Sequence, residues 1–120
     1  MTFDPRPIQD AWQERCLAYA CFEVDPDWED AEVAAKYFKL IDAAEVEIAN
    51  HPAVTPLAIE LRLWIALSHA GTSCLTRMAS GVSVAIEQGD IDTLRAVHAE
   101  LDWQEKLILI AILNLRGENL

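Results

Sequence analysis

TPLAIELRLWIALSH, residues 55–69, opens on a helix-start signal and continues as a run in which apolar side chains cover nearly the whole circumference of a helix. Thr55 is a residue type that accepts a hydrogen bond from a first-turn backbone N–H. Pro56 suits a first-turn position whose N–H has no partner to lose. Leu57, Ile59, Leu61, Leu63, Trp64, Ile65 and Leu67 leave little polar side. A helix with that pattern is expected to be central and covered on several sides.

Outward from this run the chain reads as helices throughout. Ile8, Trp12, Cys16, Tyr19 and Phe22 recur at steps of three and four, predicting a helix over 8–22. Its start is supplied by Asp4-Pro5 or Arg6-Pro7. Arg15 falls in the same stripe, so its stem is expected to pack while its head reaches an acid or the surface. Pro26 pushes Asp25 out of helical geometry and ends this helix. A second helix is predicted over 28–49, with Val33, Tyr37, Leu40, Ile41, Ala44 and Ile48 as its buried stripe and Asn50 and Pro52 as its stop.

After the 55–69 run, Gly71 and Thr72 are candidate breaks, and 72–88 reads as a weaker helix with Gly81 inside it and Gly89 as terminator. Asp90 or Asp92 caps a short helix whose face is Ile91, Leu94, Val97 and Leu101. Asp102 and Glu105 have the spacing of a capping box for a last helix over 103–116, which contains LILIAILNL, is apolar on nearly all sides and ends at Gly117. No segment alternates with a period of two. The expected fold is all-α: a single-domain bundle, residues 1–120, of five or six mostly antiparallel helices, with 56–69 and 103–116 central.

Twenty acids against nine bases give a net charge of −11. This disfavours direct contact with nucleic acid or anionic membranes. The excess is concentrated: residues 1–50 hold 12 acids and 4 bases, residues 51–120 hold 8 and 5. Three cysteines without a CxxC spacing fit a reducing compartment, and the N-terminus lacks a secretory pattern. The longest apolar run, residues 107–113, is too short for a span of roughly 20 residues. A cytoplasmic location and no membrane partner are expected.

The densest acidic stretch is EVDPDWEDAE, residues 23–32, with Glu23, Asp25, Asp27, Glu29, Asp30 and Glu32. It is not a calcium loop. Counted from Asp25, the turn-glycine position holds Asp30 and the closing-Glu position holds Lys36. Asp27 is expected to cap the second helix, with Glu29 and Asp30 in its first turn, where the helix dipole favours negative charge. Glu32 stands four residues before Lys36, the favourable order for a helical ion pair. Glu23 and Asp25 have no evident structural use. Trp28 is expected to plug the bundle, the other reading being an exposed anchor. Lys36 and Lys39 interrupt any longer acidic row of the kind a nucleic-acid mimic needs.

Catalytic and metal patterns are missing. His51, His69 and His98 lie far apart, with no Glu three residues before any of them, and each reads as structural. Ser68, His69 and Cys74 lack the geometry of a nucleophile and base. No phosphate-cradling glycine motif occurs. Asp10 and Glu14 read as surface charge. No enzyme activity, cofactor or metal is expected.

The segment DAAEVEIANHPAVTPLAIELRLWIALSHA, residues 42–71, carries Glu45, Glu47, Ile48 and Ala49, then Pro52, Ala53, Thr55 and Pro56, then the apolar run. It resembles short uncharacterised helical proteins of alphaproteobacteria and their prophages. The resemblance implies a small accessory protein of a mobile element and brings no site residues with it.

The function expected from these readings is a non-enzymatic, acidic helical module that binds another protein. The partner would be a basic, nucleic-acid-handling protein, inhibited in the manner of anti-CRISPR or anti-restriction factors, with no direct nucleic-acid contact by this chain. Partner contact is assigned to Glu23, Asp25, Asp27, Trp28, Glu29 and Asp30. Self-association as a homodimer is assigned to Phe38, Leu107, Ile108 and Ile112, with Leu17 and Val46 also outside the buried stripes. The alternative is a small-ligand or regulatory domain with a pocket lined by Trp12, Trp64 or Trp103.

Overall fold

A computed structural model of the chain describes residues 5–70 and 82–120. These residues are helical and contain no strand: α1 (Ile8–Val24), α2 (Ala31–Asn50), α3 (Pro56–Ala70), α4 (Val82–Gln88), α5 (Ile91–Ala96), a 3₁₀ turn (His98–Glu100) and α6 (Trp103–Leu115). The all-α reading holds. Asp4, the break at Gly71-Thr72, the first part of the 72–88 helix with Gly81, and Cys74 lie outside the described residues. No described helix is long and apolar enough to cross a membrane.

The chain divides into two compact units, Met1–Ala58 and Ile59–Leu120. The first is an antiparallel hairpin of α1 and α2. Pairs that meet across it run in opposite order: Phe22 beside Tyr37 and Phe38, Arg15 bonded to Glu45, and Arg6 bonded to Glu47. Its buried apolar residues are Ile8, Ala11 and Ala18 on α1 and Ile41, Ala44 and Ile48 on α2. The small side chains on α1 let the two backbones approach closely.

At the open end of this hairpin Arg6 acts as a clamp. Its guanidinium donates to both oxygens of Glu14, at 2.6 and 2.7 Å, and to both oxygens of Glu47, each at 2.6 Å. The two carboxylates hold the Arg6 charge firmly, and Arg6 in turn lowers both of their pKa values. The Arg6 carbonyl accepts from His51 Nε2 at 2.8 Å, while His51 Nδ1 accepts from the Ala53 N–H at 3.1 Å. His51 is thus a structural loop residue, as the sequence suggests.

Inside the hairpin lies a buried charge pair. Arg15 is 0% exposed and donates from Nε to Glu45 Oε2 at 3.3 Å. The rings of Trp12 and Tyr19 each lie 4.9 Å from its guanidinium carbon, a favourable placement of a cation over aromatic faces. Its head reaches an acid, as expected, but inside the fold and not at the surface. Two details of α2 differ from expectation. Leu40 is 54% exposed, because it sits ~100° round the helix from Ile41 and falls off the stripe. The helix also begins at Ala31, three residues later than its periodicity suggests.

The second unit buries Leu61, Trp64 and Leu67 of α3, Val82, Ala85 and Ile86 of α4, Ile91 and Leu94 of α5, Leu101, and Leu109, Ile112 and Leu113 of α6. The caps follow the sequence. Thr55 Oγ1 accepts from the Ala58 N–H, and Asp90, rather than Asp92, caps α5. Asp102 and Glu105 form a complete capping box. Gly89 and Gly117 both adopt positive φ, 68° and 73°, where a side chain would be strained. Neither α3 nor α6 is covered all round: Leu57, Ile59, Leu107, Ile110 and Leu115 are exposed.

Glu60 ties α3 to the end of α6. Arg116 donates to it at 2.7 and 2.9 Å, and the indole N–H of the buried Trp64 donates at 3.2 Å. The Arg116 guanidinium, joined by Trp64, holds the Glu60 carboxyl below its ordinary value of 4.5, overcoming the opposing effect of burial. A carboxylate whose folded pKa lies below its unfolded one stabilises the fold above the unfolded value. That contribution disappears as pH falls through the folded value. Glu60→Gln is therefore expected to lower the urea midpoint at pH 7, and the gap to the parent chain should narrow as the pH falls below 4.5. A gap that persists at acid pH would show that the charge is not what matters.

Candidate protein-binding surface

The turn between α1 and α2 is built by its own aspartates. Asp25 leaves α1 in extended geometry, with φ −72° and ψ 125°, as the following proline requires. Its Oδ1 accepts the Asp27 N–H at 2.8 Å, and its carbonyl accepts the Trp28 N–H at 3.2 Å. The Asp27 carbonyl accepts the Asp30 N–H at 2.9 Å. Asp30 then caps α2, its Oδ1 accepting from Glu32 and Val33 at 2.9 and 3.3 Å. Asp27 was the expected cap. Two successive tight turns occupy residues 25–30, and Asp30 is the residue left extended with its side chain over the first turn of the helix.

Asp25 has a structural use that the sequence did not disclose. Its Oδ2 accepts from the Tyr37 hydroxyl at 2.7 Å. This bond, then the Asp27 N–H, then the charge of Lys36, keep the Asp25 carboxyl ionised to lower pH than usual, and the same bond pushes the Tyr37 phenol up.

Glu23, Asp27, Glu29, Asp30 and Glu32 are exposed. Trp28, in their midst, is 51% exposed, so it does not plug the fold. The assigned partner-binding residues thus run from the last turn of α1, which holds Glu23, into the loop that follows, five of the six exposed and Asp25 half-buried. Among the described residues, no three His, Cys, Asp or Glu side chains come together in a way that would hold a metal ion.

Below the turn, α1 and α2 leave an apolar groove of about 380 Å³, lined by Glu14, Leu17, Ala18, Cys21, Tyr37 and Leu40. Leu17, 64% exposed, and Leu40 are its most exposed apolar lining residues. Sequence periodicity places Leu17 outside the buried face but does not show that Leu40 joins it.

The residues assigned to self-association differ in exposure. Phe38 is exposed on α2 and packs its ring 5.2 Å from that of Phe22. On α6, Leu107 is 57% exposed and Ile108 is half-buried. Ile112 is fully buried and belongs to the interior, because it follows Leu109 on the covered side of the helix. The tryptophans of the alternative reading each have their own surroundings. Trp12 stacks on Arg15, Trp64 is buried on Glu60, and Trp103 is largely exposed.

No protein-family model, curated protein or solved structure matches the chain.

Proposed function

We propose that this chain is a non-enzymatic acidic module that binds a basic protein through the loop at 23–30. The observation that carries this reading is Trp28, half exposed, with the exposed carboxylates of Glu23, Asp27, Glu29 and Asp30 on either side of it in the chain. A large aromatic with an acidic surround has the composition of an interface anchor. The indole contributes area that loses water on binding, and the carboxylates steer and orient a cationic partner. A basic protein surface most often exists to hold phosphate, so the partner class is a protein that handles nucleic acid. With the resemblance to prophage-associated helical proteins, the reading extends to an accessory factor that occludes such a surface, of anti-CRISPR or anti-restriction type.

The test uses residues without a hydrogen-bonding duty in the turn. Glu23→Lys and Glu29→Lys together should leave helicity unchanged and reduce capture of the basic partner at least tenfold. The loss should be larger at low salt than at high salt, because exposed charges are screened within about 8 Å at physiological ionic strength. Equal capture by the variant at low salt would remove the loop from the interface.

A further inference from the structure

We infer that the groove between α1 and α2 seats a helical segment of that partner, apolar along one side and lined with Lys or Arg along its edges. This rests on the reading of the chain as a binder of a basic protein, and it adds where and in what form the partner docks. Of the residues that line the groove, Ala18 is buried and Cys21 half-buried, while Leu17 and Leu40 are both more than half exposed. Glu14 to Cys21 spans about 10 Å of helix, enough for two or three anchors at i, i+3 or i+4, and i+7 of a helix lying alongside.

The charge around the groove selects the occupant. At its lower end Glu14 and Glu47 share the single Arg6, and Asp10 stands in the adjoining depression with Arg6, Gln13 and Glu14. At its upper end Tyr37, which lines the groove, holds Asp25, and the chain continues into Asp27, Glu29 and Asp30. Lys36 offsets one of the four acids at the upper end, as Arg6 offsets one of the three at the lower, so both ends carry net negative charge. A second copy of this chain would bring the same acids back against these, whereas a basic amphipathic helix neutralises both ends while its apolar side covers the leucines.

The experiment uses a fluorescein-labelled alanine-based peptide of about 15 residues, with leucines on one helical face and lysines flanking them. Its anisotropy should report saturable binding to the full chain. Leu17→Glu with Leu40→Glu should weaken binding at least tenfold, and the uncharged pair Leu17→Ser with Leu40→Ser should weaken it as well, both with unchanged circular dichroism. An isomeric peptide with leucines scattered round the helix should bind at least tenfold more weakly, and a glutamate-for-lysine version should not bind. Four results would overturn the proposal. These are no binding at about 100 μM peptide, equal binding of the scattered isomer, indifference to both leucine pairs, or a dimer by light scattering that Leu17→Glu dissolves. The Glu23 and Glu29 reversal leaves the leucines in place. Partner capture that still depends on those acids, beside a groove that ignores the peptide, would remove this inference and leave the loop reading standing.

Discussion

Glu45→Leu should lower the unfolding free energy by about 3–5 kcal/mol, measured by urea titration of the helical circular dichroism signal. The reason is desolvation. Arg15 is fully buried, so taking away Glu45 leaves a positive charge in the interior facing a leucine. The control is the double variant Arg15→Met, Glu45→Leu. It removes both charges, keeps comparable volume and should recover to within about 1 kcal/mol of the parent, since an apolar pair often does as well as a buried ionic one. Recovery in the double variant and collapse in the single one are the two halves of the same expectation. A single variant that costs less than about 1 kcal/mol would show that Glu45 is not what neutralises Arg15.

Trp64→Ala should be comparably damaging, at about 3–5 kcal/mol, a large share of the 5–15 kcal/mol that holds an ordinary domain together. Trp64 is the largest of the fully buried side chains. Alanine leaves a void at that point and also removes the indole N–H that supports Glu60. Trp64→Phe separates these contributions. It retains most of the volume, loses the hydrogen bond and should cost about 1–2 kcal/mol. Thermal melts of the three chains should therefore rank parent, phenylalanine, alanine, with the wider gap on the alanine side. Equal melting of the phenylalanine and alanine variants would mean that the hydrogen bond, not the packing, carries the effect.

The features legible in the sequence are those that act within one helical turn. The caps at Thr55, Asp90 and Asp102 depend on groups three residues apart and the left-handed glycines at 89 and 117 on bonds that reach no more than five, and the structure shows them where the sequence suggests. The partners of Arg15 and Arg116 are 30 and 56 residues away, and no local pattern brings them together. Glu45 nonetheless carried a signal. It lies four residues after Ile41 and three before Ile48, squarely on the buried stripe, and a glutamate there implies a buried cation opposite. Arg15 occupies the matching anomaly on α1.

Exposure was the other illegible quantity. Periodicity identifies an apolar helix face but not the neighbours that cover it, so Leu40, Leu57 and Ile59 read as interior and stand in water, while Ile112, assigned to a surface, is buried. Trp28 misled for the same reason: an indole has the hydrophobicity of a core residue wherever it sits. The acidic loop was found as a cluster, yet its internal division of labour was not. That division depends on Tyr37, which comes 12 residues after Asp25, and on two consecutive turns that move the cap from Asp27 to Asp30.

That division bears on how the loop can evolve. Asp25 and Asp30 are committed to hydrogen bonds that shape the backbone, and a change at either disturbs the hairpin. Glu23 and Glu29 contribute charge at the surface without such a duty, so substitution there is nearly free of folding consequences. Under the proposed function, those two positions can change one at a time to suit a different partner while the backbone of the turn stays the same.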